Sequence, residues 1–360
     1  MSTIFAAEHT RVLQEVIREI EVDPAEFLGA KYMPAIEMPT SSVHVDVLKS
    51  RGGLIQEATL NGDPKSTVRR QFVTQQYAAG VYKEFIRFNE GDILRLRELG
   101  QNDQSKRGIR QHLNENALVL NNRIEARIEL LRWQAIFNGS YVYDGRTVNF
   151  GKPAANNVAP AAAWGLNDGS GNFTVANPAA NPVQDLRNWI MGGYKAFRKY
   201  KITKIVMNPN TARMILDNSG VQSLIQSRFA AESYKAHDVN AVMGFLVPGM
   251  PEIQTYQGWY QPEAIDQTTG EITTGDAVYF IPDGAIFFEA KLPDSNKVGD
   301  VVMTLNLSNG NVDAPAAGKF ILVDEKVKER PANPYIDIIG GFFGGPRLKR
   351  AFDCLTATVI

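Results

Sequence analysis

Residues 108–137 read GIRQHLNENALVLNNRIEARIELLRWQAIF. Leu113, Ala117, Leu120, Ile124, Ile128, Leu131 and Ala135 follow one another at spacings of 4, 3, 4, 4, 3 and 4. That period places all seven on one stripe of a helix. Arg123, Glu125, Arg127, Glu129 and Arg132 are predicted to face away. Roughly thirty residues at 1.5 Å each make a rod about 45 Å long, well beyond a typical globular helix. Asn138-Gly139 ends it, the glycine being suited to a left-handed C-terminal cap. Tyr141 to Tyr143 and Thr147 to Phe150, around Asp144-Gly145, predict a hairpin.

Downstream, Gly151 to Pro182 is rich in Ala, Asn, Pro and Gly and reads as an ordered loop or linker. A helix (Val183 to Tyr200), a strand (Thr203 to Met207) and a helix opened by Asn208-Pro209 follow. Asn208 can cap that helix, and Pro209 fits its first position. With a helix from Gln222 to Glu232 and strands near Glu252 to Trp259, Ala277 to Ile281 and Ala285 to Glu289, they predict a compact α+β lobe. Gln267 to Glu271 reads as a surface hairpin. Phe320 to Val323, Tyr335 to Ile339 and Leu355 to Ile360 are predicted to return as strands to the lobe of the long helix.

Upstream, Val12, Val16 or Ile17, and Ile20 recur at helical spacing among Glu8, Glu15, Arg18 and Glu19. Asp23-Pro24 ends this helix or caps another. Lys31 to Ser42 reads as an extended arm with few contacts to a core. Val43, Val45 and Val47 alternate with His44, Asp46 and Leu48, the period of a half-buried strand. Thr67 to Tyr77 is a second extended stretch, reached through the turn signal Asn61-Gly62. The result is a two-stranded excursion over about 43–77 with little to form a hydrophobic centre. An isolated ribbon of two strands is marginal in water, so it implies a partner surface.

The 360 residues include 44% hydrophobic and 21% charged residues at a net charge of −1, an ordinary globular composition. No run approaches the ~18 apolar residues of a membrane span, and Met1 to Thr10 lacks the basic and apolar regions of a secretory signal. Synthesis in a cytoplasm is expected. Residues 1–45 hold 3 Lys/Arg against 7 Asp/Glu, whereas residues 46–110 hold 12 against 8. The two segments are thus electrostatically complementary. The one cysteine, Cys354, reads as a buried small hydrophobe, and His9, His44, His112 and His237 are scattered rather than clustered as metal ligands would be. No nucleophile elbow, Walker loop, H-E-x-x-H or C-x-x-C occurs. Gly340-Gly341-Phe342-Phe343-Gly344-Gly345 lacks the Lys-Ser/Thr pair of a phosphate loop and runs into Pro346. Catalytic, cofactor-binding and metal residues are therefore not assigned.

The order of these features resembles the tailed-bacteriophage major capsid proteins of the Hong Kong 97-type fold, in the branch of lambda-like major capsid protein E. Val22-Asp23-Pro24-Ala25-Glu26-Phe27-Leu28 is similar to that family's arm segment, and Arg51-Gly52-Gly53 to the rising arm of its extended loop. Asp63-Pro64-Lys65 and Val68-Arg69-Arg70 resemble the loop's tip and descending arm. The resemblance covers the chain end to end in element order. It implies an α+β fold with an N-terminal arm (1–42), an extended loop (43–100), a peripheral domain with the spine helix (101–182), an axial domain (183–310) and return strands of the peripheral domain (311–360).

The implied function is non-enzymatic: self-assembly into the icosahedral head shell, or virion capsid, of a tailed phage around double-stranded DNA. The implied partners are copies of the same chain in hexamers and pentamers, a decoration or cement protein, a portal and a scaffold. Contact with packaged DNA should be weak and sequence-independent, since no strongly basic module exists, and no membrane is involved. Asp23, Glu26, Arg51, Gly52, Gly53, Asn61, Gly62, Asp63, Pro64, Lys65, Arg69 and Arg70 are the expected inter-subunit contacts. The family's covalent variant joins a loop lysine to a neighbour's asparagine. Here Lys65, with Asn311 and Asn333 as receivers, reads instead as a solvated turn lysine. The alternatives are an encapsulin-like nanocompartment shell and a small-molecule enzyme on an α+β scaffold.

Overall fold

The computed structural model describes residues 27–49, 71–89, 91, 102–167, 173–196, 201–228, 239–265, 272–292, 296–306, 316–325 and 335–360. The strands in chain order are β1 (Ala35–Glu37), β2 (Ser42–Lys49), β3 (Gln71–Ala78), β4 (Gly80–Asn89), β5 (Ser140–Tyr143), β6 (Arg146–Asn149), β7 (Asn157–Val158), β8 (Gly165–Asn167), β9 (Phe173–Ala176), β10 (Ile202–Met207) and β11 (Glu252–Thr255). They continue as β12 (Trp259–Tyr260), β13 (Glu263–Ile265), β14 (Ile272–Thr274), β15 (Val278–Tyr279), β16 (Ala285–Ala290), β17 (Asp300–Met303), β18 (Leu305–Asn306), β19 (Ala316–Ala317), β20 (Lys319–Glu325), β21 (Tyr335–Arg347) and β22 (Leu355–Thr358).

The long helix runs from Asn102 to Asn138, and all seven residues of its predicted stripe are buried. Gly139, at φ +62, closes it by donating from its backbone N to Ala135 O. The Lys152 ammonium then donates to Ile136 O at 2.9 Å and Phe137 O at 3.0 Å, so a cation sits where the helix dipole is negative. The hairpin of β5 and β6 turns at Asp144 and Gly145, both at positive φ, the tight turn that their sequence calls for.

Two five-stranded sheets flank this helix. In the first, β21 pairs with β4 along one stretch, with β20 and with β17, and β1 lies parallel to β17. Leu113, Ala117 and Leu120 pack on this sheet through Ile321, Val323, Ile336 and Ile338. The glycine run lies within β21 and brings backbones close. A Cβ on Gly341 would stand 2.2 Å from the Tyr82 carbonyl oxygen, and Gly340 faces Leu120 and Ile124 of the helix.

The second sheet runs β11-β10-β16-β22-β7. Both of its faces are buried, and each serves a different core. Phe287 and Val206 join the cluster under Ile128, Leu131 and Trp133 of the long helix. Ile286, Phe288, Ile205 and Met207 join a second cluster with Trp164, Leu186, Ile215 and Met243. In that lobe Asn208 Oδ1 accepts from Thr211 N at 2.8 Å with Pro209 next in line, the predicted cap. Trp164, from the stretch read as a linker, is tied to this lobe: its ring stacks on Trp189 and its Nε1 donates to Asp185 at 2.9 Å.

Four readings of the sequence need correction. Glu125, Glu129 and Arg132 are buried rather than turned outward, because a helix enclosed on more than one side must place some charges inside, where they pair. Lys31 to Ser42 is no free arm: Tyr32 and Met33 are fully buried and β1 is a sheet member. β22 joins β16 and β7 instead of the sheet under the long helix, and β17, from the stretch read as part of the inserted lobe, pairs with β21. The root of the ribbon also has a hydrophobic side of its own, described next.

Candidate assembly surfaces

The ribbon of β2 and β3 is antiparallel from Ser42 opposite Ala78 to Lys49 opposite Gln71. Val43, Val45 and Val47 are buried, while His44 and Asp46 are exposed. The apolar side of β2 therefore seats on the core. The outer side is polar: Thr74 Oγ1 donates to Asp46 Oδ1 at 2.7 Å and Gln76 Nε2 to Ser42 Oγ at 2.9 Å.

Two further contacts hold the root. The buried Tyr77 hydroxyl donates to Pro346 O, and burial pushes its pKa well above the usual phenol value. Arg347 donates to His44 O at 3.0 Å while its Nε and Nη2 clamp Asp300 at 2.6 and 2.9 Å. Lys349 reaches the same carboxylate at 2.6 Å. A buried, doubly hydrogen-bonded arginine fixes direction as well as position. These contacts fix the described root of the ribbon to the body.

Beside this root lies an open sheet face. On β4, Val81 and Phe85 are 45% and 56% exposed. Arg87 forms a bidentate pair with Asp337, both contacts at 2.8 Å, and lies over the Tyr335 ring at 4.1 Å. Lys83 lies over Phe343 at 4.7 Å. Among the described residues β4 pairs only with β21.

A third feature joins three elements through one guanidinium. Arg123 of the long helix donates to both oxygens of Glu84 on β4, at 2.7 and 2.5 Å, and to both of Glu263 on β13, at 2.8 and 2.7 Å. The hydrogen bonds with Glu263 and then with Glu84 push the arginine pKa up, and the same contact holds the Glu263 carboxyl below its ordinary value.

The expected contacts Asp23, Glu26, Arg51, Gly52, Gly53, Asn61, Gly62, Asp63, Pro64, Lys65, Arg69 and Arg70 all lie outside the described residues, as do Asn311 and Asn333. Sequence reasoning missed the Arg347–Asp300 clamp and the Arg123 junction, whose partners are 47, 39 and 140 positions apart. No local periodicity marks pairs so far apart in sequence. Among the described residues no group of His, Cys, Asp and Glu could hold a metal ion, and no helix is long and apolar enough to cross a membrane.

A family model described as phage major capsid protein E matches residues 9–303. No curated protein matches the chain. Among solved structures, a prophage protein of E. coli CFT073 assigned as a capsid protein is similar with a TM-score of 0.56 and 12% identity, over 98% of this chain and 99% of that one. A phage-related protein from Bordetella bronchiseptica RB50 is similar over 97% and 96%, with a TM-score of 0.47 and 10% identity. For the capsid of cyanophage P-SCSP1u the values are 94% and 90%, 0.46 and 10%. The match to the E. coli prophage protein, at a TM-score above 0.5, shows a capsid-protein fold, a mixed helix-and-sheet architecture of the Hong Kong 97 type. Because the family model spans most of the sequence, the chain belongs to the phage major capsid protein E family, whose role is to build the phage head shell.

Proposed function

We propose that this chain tiles with copies of itself, as hexamers and pentamers, into an icosahedral shell around double-stranded DNA. The observation that carries the reading is the ribbon root. Val43, Val45, Val47 and Tyr77 anchor β2 and β3 to the core, and the segment beyond, residues 50–70, carries Arg51, Lys65, Arg69 and Arg70. A fixed root that presents a long basic excursion suits reaching a neighbour. Asp23, Glu26 and the other acids of residues 1–45 supply complementary charge. Each contact is moderate, and engagement of several neighbours at once makes the assembly strong.

In this reading residues 101–182 and 311–360 form the peripheral domain, 183–310 the axial domain, 43–100 the extended loop and 1–42 the arm. Residues 27–38 and β17 go with the peripheral core, and β22 goes with the sheet of β16. Arg51, Gly52, Gly53, Asn61, Gly62, Asp63, Pro64, Lys65, Arg69 and Arg70 make the loop contacts. A decoration or cement protein, a portal and a scaffold complete the particle, and DNA is touched weakly and without sequence preference, in keeping with the near-zero net charge. The chain acts by association, without catalysis, and is made in the host cytoplasm.

Replacing residues 58–67 with a short Asn-Gly turn tests this. The subunit should keep its cooperative melting but lose closed shells in negative-stain images. Full-size closed shells from the replaced protein would refute the role of the loop.

A further inference from the structure

Three polar side chains meet where the first sheet closes on the long helix. Asn121 and Glu125 stand four positions apart on that helix and so share one face. Both are buried, at 1% and 4% exposure. Lys319, the first residue of β20, brings its ammonium to the two of them, donating to Asn121 Oδ1 at 3.2 Å and to Glu125 Oε1 at 2.5 Å. Its side chain is 15% exposed. The surroundings are apolar: Leu120, next to Asn121, and Ile321, two positions beyond Lys319, are buried in the cluster between helix and sheet. Both backbones are held in place, since Lys319 pairs with Phe342 of β21 and Gly340 of the same strand packs against Leu120 and Ile124. An amine, a carboxamide and a carboxylate are thus fixed within reach of one another and largely shielded from water.

We propose that Lys319 and Asn121 join through an isopeptide bond within one chain, with Glu125 moving the protons. Lys319 Nζ stands 3.2 Å from Asn121 Oδ1. The carbonyl carbon lies one bond of ~1.23 Å from that oxygen, so it is no more than about 4.4 Å from the nitrogen. A small rotation of the lysine stem reaches the ~3–3.5 Å of a near-attack geometry. Glu125 first takes a proton from the ammonium, which frees the nitrogen lone pair for attack. Nζ then adds to Cγ of Asn121, and Glu125 returns the proton to the amide nitrogen as the Cγ–Nδ2 bond breaks. The ammonium gives up two protons in all: one completes the departing ammonia, and the other leaves with it as ammonium ion. The new bond is an ordinary amide, and no oxidant or cofactor is consumed. Each chain reacts once, without turnover, so the shell role stands as it is. The link ties β20 to the long helix of the same chain and closes a loop of 198 positions, unlike a bond between neighbouring chains through the loop lysine Lys65.

Intact-mass spectrometry of the full chain, purified and then unfolded, tests this. The mass should fall short of the sequence mass by one ammonia, and a proteolytic map should contain one branched peptide that carries both Asn121 and Lys319. Lys319→Arg, Asn121→Ala and Glu125→Gln should each restore the sequence mass, whereas Asn121→Asp should keep the branch and lose one water instead. On a boiled, reducing gel the linked chain should run as a monomer ahead of Lys319→Arg, because a closed loop makes the unfolded chain more compact. A wild-type chain that is folded by circular dichroism and has its full sequence mass would overturn the proposal. So would a ladder of linked chains, or an ammonia deficit carried on a linear peptide, as cyclisation of Asn138 onto Gly139 would give. These readings are made on the unaltered protein, so they decide the matter even where a variant fails to fold.

Discussion

The Glu129 carboxylate accepts from Gly29 N at 2.7 Å across exactly 100 positions of sequence. Three more donors converge on it: Trp133 Nε1 at 2.7 Å, Arg132 Nη1 at 3.0 Å and Tyr256 Oη at 3.1 Å. Arg132 in turn donates to Met33 O at 2.8 Å. On the other side of the same short segment, Glu289 accepts from Tyr32 Oη at 2.7 Å and Lys31 Nζ at 2.9 Å. Two carboxylates therefore clasp residues 29–33 between the long helix and β16. Glu129→Ala should destabilise the subunit by about 3–5 kcal/mol, because it leaves Arg132 buried without its countercharge. Urea unfolding measures this; a loss below about 1 kcal/mol would mean that the clasp contributes little. Truncations that probe assembly should accordingly stop before Phe27.

That clasp also marks where the sequence stopped being legible. The stripe from Leu113 to Ala135, the alternation of Val43, Val45 and Val47, the Asn208-Pro209 cap and the Asp144-Gly145 turn are all local periodicities or local backbone preferences, and each appears as read. Glu129 and Arg132 looked solvated because a charge on a helix usually is. Only the arrival of residues 29–33 from far along the chain makes their burial favourable. The pairing of β22 with β16 is equally non-local, and nothing in Leu355–Thr358 distinguishes one receiving sheet from the other. The loop contacts were read from resemblance rather than from periodicity, and they lie outside the described residues.

The glycine run of β21 gives a graded test. At Gly341 an added Cβ would meet the Tyr82 carbonyl oxygen at 2.2 Å, a backbone atom that cannot swing aside, whereas at Gly340 the nearest atoms are side-chain carbons at 3.4 Å. Gly341→Ala should cost about 1–3 kcal/mol by overpacking, and Gly340→Ala clearly less. Equal thermal stabilities of the two variants would contradict the packing of β4 on β21.

Alkaline pH should unfold the subunit through its buried acids. Burial raises the Cys354 thiol to about 11 and moves Tyr32, Tyr77, Tyr141 and Tyr256 well above the ordinary phenol value. A pKa raised in the folded state means that the unfolded state loses its proton first, so stability is full below the unfolded value and falls as pH rises. The decline should begin near pH 8.5 for the thiol and near pH 10 for the phenols, by up to about 1.4 kcal/mol per pH unit for each group. Replacing Cys354 with Ala should flatten the first part of the curve. Stability that is constant from pH 8 to pH 11 would rule out this burial.

The Arg123 junction makes an acid-side prediction of opposite sign. Arg123, Glu84 and Glu263 are 40%, 47% and 30% exposed, so solvent screens the pairs and their sum should not exceed about 1 kcal/mol. Arg123 holds Glu263 below its ordinary pKa, so the contribution is present above the unfolded carboxyl value near ~4.3 and is lost as pH falls through the lower, folded value. Arg123→Ala should therefore lower the urea midpoint at pH 7 in dilute buffer, and the difference from wild type should shrink at pH 3 and again in 1 M salt, where the screening length is about 3 Å. Arg123→Lys should recover only part of it, since an ammonium cannot make paired contacts with two carboxylates at once. A midpoint difference that persisted unchanged at pH 3 would assign the effect to packing of the arginine stem. The junction would then be no electrostatic tie between β4, the long helix and β13.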